Sequence, residues 1–94
     1  MVERCRVDIT PFVGPAFRFL RNRCGASQEE IAFKAGVDRT YVSGVERGVR
    51  NPSLKAMQKI AAALEVSLDV VFVRARKLAE NSLPAPPEKR QDRR

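Results

Sequence analysis

The sequence predicts an all-α domain of five short helices, and three observations carry that reading. Apolar residues recur at helical spacing through most of the chain. Residues that favour helix starts precede these runs and glycines close several of them. No segment alternates polar and apolar residues for long enough to suggest a strand. At 94 residues the chain is expected to hold one small core and no second domain.

After an N-terminal arm, residues 1–13, the first helix is expected to start near Pro11 to Pro15 and to run to Arg23. Phe17, Leu20 and Cys24 share one face of it, and Gly25 stops it. Ser27 followed by Glu30 is a capping box, in which each side chain takes the other's backbone N–H, so a second helix starts there with Ile31, Ala32 and Ala35 inward. Gly36 ends it. Only Val37 separates that glycine from Asp38, a good N-cap, so the third helix must set off at a steep angle. Val42 and Val45 face inward on this helix, Arg39, Thr40 and Ser43 face outward, and Gly48 closes it. Gly48 to Pro52 form a loop. Ser53 caps a fourth helix whose buried face is Leu54, Met57, Ile60, Ala61 and Leu64. Ser67 caps a fifth, with Leu68, Val71 and Phe72 inward and a basic continuation, Arg74, Arg76 and Lys77, to about Glu80. The run Val70 to Val73, with three β-branched residues, makes this the weakest helix on local propensity. The domain is thus expected to span residues 14–80. Residues 81–94, with Pro84, Pro86 and Pro87 before a charged end, read as a disordered basic tail.

Eighteen Lys and Arg against eleven Asp and Glu give +7. With no histidine, that excess persists at any physiological pH and points to a polyanionic partner. The missing histidines exclude His-based acid–base catalysis, His-dependent triads and mixed Cys/His zinc sites. Cys5 and Cys24 form no Cys-x-x-Cys pair, which suggests two reduced thiols, Cys24 as a small hydrophobe beside the core. The longest apolar run, Ile60 to Leu64, is far too short to cross a bilayer, and no secretory signal is evident, so a cytoplasmic location without a membrane partner is expected. No phosphate-cradling glycine loop is present, and helix starts and ion pairs account for the few carboxylates. An enzyme, a cofactor and a metal site are therefore not expected.

From Gln28, Ala32 lies four residues on, Gly36 eight, Val42 fourteen and Val45 seventeen. A small residue where helices cross, a glycine at the turn and two apolar residues beneath the second helix are the requirements of a helix-turn-helix. Gly-Ala-Ser-Gln-Glu-Glu-Ile-Ala at 25–32, Ala-Gly-Val at 35–37, Tyr-Val-Ser at 41–43 and Glu-Arg-Gly-Val-Arg-Asn-Pro-Ser at 46–53 resemble the Cro and lambda-repressor class, the XRE family. The resemblance extends over about residues 14–73.

That resemblance implies a compact five-helix, lambda-repressor-like domain that binds double-stranded DNA, helix three entering the major groove and helix two lying across the backbone. It places Arg39 and Thr40 at the leading base-reading positions, with Ser43 one turn on, suited to a phosphate or a base edge. Gln28 matches a residue that contacts a phosphate or braces the recognition helix. Tyr41 either packs against the following loop or touches a phosphate. Arg47, Arg50, Asn51 and Lys55 fall beside the sugar-phosphate chain, although Asn51-Pro52 also makes a turn. Arg21 and Glu46 match a structural ion pair. Gly44 departs from relatives that carry a long base-reading side chain; it either lets the backbone approach the groove or removes one contact. Phe33, on a normally charged outer face, is a lone exposed residue or part of a partner surface. The implied function is transcription regulation by occupying a palindromic operator, as a repressor does, in a homodimer joined through helix five at Val70, Val73 and Leu78. Controller proteins of restriction–modification or phage systems share this architecture. An antitoxin with a toxin partner and a non-specific nucleic-acid binder are the other classes to weigh.

Overall fold

A computed structural model describes residues 7–82 and arranges them as α1 (Thr10–Cys24), α2 (Gln28–Ala35), α3 (Arg39–Arg47), α4 (Leu54–Ala63) and α5 (Leu68–Ser82), with no strand among the described residues. Residues 1–6 of the expected arm and residues 83–94 of the expected tail lie outside the described residues, and residues 10–13, assigned to the arm on sequence, instead form the first turn of α1. Asn81 and Ser82, assigned to the tail on sequence, instead complete the last turn of α5.

Helix α1 starts where Asp8 accepts hydrogen bonds from the Thr10 amide at 3.0 Å and the Thr10 hydroxyl at 2.6 Å. These bonds, the hydroxyl's first, hold the Asp8 carboxyl below its ordinary value. Pro11 sits in the first turn, where its missing N–H costs nothing. Pro15 lies inside the helix and leaves the Pro11 carbonyl without its usual partner, yet α1 continues because Val13, Ala16, Phe17 and Leu20 are buried around it. Cys24 is exposed rather than part of the core: the apolar face ends at Leu20, and Gly25 turns the chain away in a left-handed conformation.

Both halves of the Ser27–Glu30 capping box are formed, at 3.0 and 2.8 Å. Gly36, at φ 74°, makes the turn into α3, and Val37 N–H closes it onto the Ala32 carbonyl at 3.0 Å. Asp38 has the extended backbone of an N-cap, but its side chain makes no capping bond. At the start of α4, Ser53 accepts from the Ala56 amide at 3.0 Å, and Ile60, Ala61 and the C-capping Leu64 are buried. Leu54 is 65% exposed, contrary to the expected face, because it occupies the first helical position, ahead of the turns that meet the core. Helix α5 buries Val71, Ala75 and Ala79 and lies along α1; that burial outweighs the weak propensity of its valines.

Helices α1 and α3 approach closely at Gly14. A Cβ there would run into the Val45 carbonyl oxygen and lie 3.2 Å from that of Glu46, so the backbones of α1 and α3 meet directly. We expect Gly14→Ala to destabilise the domain by about 1–3 kcal/mol or more, because neither backbone can yield as a side chain does. Urea denaturation measures this directly, and a wild-type midpoint would contradict the contact.

Candidate nucleic-acid interface

Helix α3 is amphipathic in the sense its position requires. Val42 and Val45 are each 1% exposed and pack into the domain, whereas Arg39, Thr40 and Arg47 are exposed and Ser43 is half-buried. The Arg47 Nε donates to the Ser43 hydroxyl at 3.3 Å, joining two residues of the outer face. No side chain among the described residues hydrogen-bonds Arg39 or Thr40, so the first turn of α3 offers its polar groups outward.

The rear of α3 is tied to two other helices through Glu46, whose side chain is 4% exposed. Arg21 of α1 grips it with two donors, Nε to Oε2 at 2.6 Å and Nη2 to Oε1 at 3.0 Å, while its Nη1 donates to the Ala26 carbonyl at 2.8 Å. The Gln28 Nε2 adds a bond to Glu46 Oε1 at 2.9 Å. Hydrogen bonding to Glu46 raises the Arg21 pKa against the opposing effect of its burial, and the carboxylate's charge adds to the rise. Arg21 and Glu46 are thus brought together as the family pattern implies. Gln28, half-buried, is thereby joined to α3.

Gly44 sits on the outward side of α3 by spacing, but it is buried: its open direction is filled by the stem of Arg50, and a Cβ there would fall 2.7 Å from Arg50 Cγ. It therefore presents no bare backbone to a groove. The Arg50 guanidinium lies over the Tyr41 ring, 5.5 Å from its centroid. Tyr41 also packs against the core and shares a recess with Val37, Asp38, Ser53, Lys55 and Lys59, which brings Lys55 to the same side as α3. Asn51 and Lys55 are exposed, and Phe33 stands 87% exposed on α2. No group of acidic, Cys or His residues suited to a metal occurs among the described residues.

A capped helix, a glycine turn and a second helix whose rear is locked and whose front is basic define the helix-turn-helix class. The chain belongs to the helix-turn-helix family, whose model matches residues 17–71. It is 42% identical over 62 residues to an HTH-type transcriptional regulator of Mycobacterium tuberculosis, a match that covers 66% of this chain and 44% of that protein. The chain thus spans less than half the length of this curated relative. Among solved structures it is similar to the restriction-modification controller protein C.AhdI from Aeromonas hydrophila, with 46% identity and a TM-score of 0.65 over 67% of this chain and 96% of that one. It also resembles the controller protein C.Esp1396I, solved as a tetramer with its natural 35 base-pair operator, with 36% identity and a TM-score of 0.71 over 77% of this chain and 95% of that one.

Glu46→Ala should lower stability by about 3 kcal/mol, since it strands the Arg21 guanidinium in a mostly buried position. The exposed Arg76–Glu80 pair, at 3.2 Å on α5, offers the control. There Glu80→Ala should change stability by less than about 0.5 kcal/mol. Equal losses for the two variants in chemical denaturation would show that burial does not set the value of the Glu46 pair.

Proposed function

We propose that the chain is a sequence-specific DNA-binding transcription regulator that acts by occupying an operator and not by catalysis. The observation that carries this reading is the placement of α3: its rear is locked through Glu46 while Arg39 and Thr40 in its first turn face outward. A rigid helix with free polar groups at its leading end meets the geometric need of major-groove reading. Arg39 suits bidentate donation to guanine O6 and N7. Thr40 suits a thymine methyl or a neighbouring acceptor, and Ser43 a phosphate or base edge. Arg47, Arg50, Asn51 and Lys55 suit the phosphate chain. The similarity to C.Esp1396I, whose structure holds operator DNA, supports the same use of this fold. Nine residues of α3 reach only a few base pairs, which favours a homodimer on a palindromic operator; the exposed Val70 and Val73 of α5, 41% and 53% exposed, are the surface for it.

Selection of binding sites from random duplexes tests this reading. A defined, two-fold symmetric sequence is expected, and recovery of unselected sequence would refute it. Arg39→Ala should relax preference at one base position and cost about 1–3 kcal/mol on the selected site. For about six neutralised phosphates, log K against log salt should fall with a slope on the order of −5. Val73→Asp, by placing a charge on α5, should shift the chain toward monomer in analytical ultracentrifugation and weaken operator binding most at low protein concentration.

A further inference from the structure

Three contacts converge on Gly44. Its carbonyl accepts both the Val49 amide at 2.9 Å and the Arg50 amide at 3.2 Å, which fastens the loop backbone to the end of α3. Its missing side chain leaves the space through which the Arg50 stem runs. The far end of that stem rests on the Tyr41 ring, 5.5 Å from its centroid. Thr40, Ser43, Gly44 and Arg47 fall on the face of α3 opposite Val42 and Val45. The loop arginine is thereby laid across the outer face of the recognition helix, where a residue larger than glycine would have placed its own side chain.

We infer that Gly44, Arg50 and Tyr41 form one positioning unit: Gly44 seats the Arg50 stem, the Tyr41 ring supports its guanidinium, and together they deliver the loop's cation to a DNA phosphate beside the residues that read bases. This rests on the DNA-binding reading and assigns two of its residues different work. Tyr41 acts through the face of its ring, as a positioning residue, and Gly44 acts by having no side chain. A guanidinium held over an aromatic face is attracted to the ring and restricted in direction, while its N–H groups stay free at the edge for a phosphate. An arginine on a free loop would have to be ordered on binding, which weakens the contact it makes.

Substitution in pairs tests the unit with the full chain and two duplexes, one selected from random sequences by the wild type and one of unselected sequence. Arg50→Ala and Gly44→Ala should each weaken binding to both duplexes by about fivefold to tenfold. Each should also make the slope of log K against log salt shallower by about one contact, roughly 0.9. The double variant should lose no more than either single one, because the alanine at 44 evicts a side chain that is already absent. Alanine is the better helix former and opposes the cost of displacing the Arg50 stem, and thermal melting shows whether Gly44→Ala is folded at the binding temperature, so that a weakened complex reports placement and not unfolding. Tyr41→Phe, which keeps the ring, should bind as the wild type does, whereas Tyr41→Ala should match Arg50→Ala.

Full binding by Gly44→Ala, or losses that add in the double variant, would overturn the seat. A loss in Tyr41→Phe equal to that in Tyr41→Ala would overturn the support by the ring. Failure of the DNA-binding reading is a separate outcome, seen when the wild-type chain itself selects no sequence.

Discussion

The Glu46 carboxylate is the demand around which the helices are arranged. Burying a charge costs several kcal/mol unless its oxygens find donors of good geometry, and this one lies on the inner side of α3 with almost no access to water. The donors come from two other helices: Arg21 of α1 supplies two and Gln28, in the first turn of α2, supplies one. Arg21 also reaches the Ala26 carbonyl in the joint between those helices, so the same guanidinium fixes the joint. Hydrogen bonds of 2.6 to 3.0 Å leave little freedom to slide. Valines packed on valines tolerate more. The apolar core supplies most of the attraction between the helices, and this polar cluster sets the angle at which α3 leaves it.

Helix α3 depends on such outside constraints because it has few of its own. Nine residues are too short to be stable as an isolated helix, and it contains a glycine and three β-branched residues. Gly14 lets α1 approach until its backbone meets the carbonyls of Val45 and Glu46. Gly36 and Gly48, at φ 74° and 81°, close the turns at its two ends. Gly44, on the opposite side from Gly14, takes the stem of Arg50. Two of these glycines provide backbone conformation and two provide room. All four serve the position of one helix, and any larger residue at 14 would move it away from Arg21.

The parts of this arrangement legible in the sequence are those governed by neighbours in the chain. The capping box at Ser27, the left-handed turn at Gly36 and the inward valines of α3 follow from local chemistry and helical period, and the structure has them. Cys24 and Leu54 fit the same period yet lie exposed, because period says which side a residue is on and not how far along the helix the core extends. The end of α4 carries no glycine; Glu65 takes the positive φ there, at 62°, which no residue preference announces. Nothing local in the sequence sets Gly14 apart, since its partner lies about thirty residues away. Gly44 departs from the family pattern in the sequence, but its occupant comes from a loop six residues on, whose direction only the folded backbone defines.

The permanent positive charge that first suggested a polyanion is not spread evenly in its effects. Arg21 is neutralised inside the domain by Glu46. Arg74 lies over the Phe19 ring, 4.1 Å from its centroid, with Arg23 on the same ring at 5.9 Å. Arg74 and Arg23 nonetheless line one recess with Asp69, Val70 and Val73, so the exposed valines of α5 are flanked by charges of both signs. The nine residues of α3 span about 13 Å, whereas successive turns of the major groove are about 34 Å apart. Under the DNA-binding proposal a single domain would therefore reach one half-site, and the exposed Val70 and Val73 of α5 are the surface at which a second copy would join it.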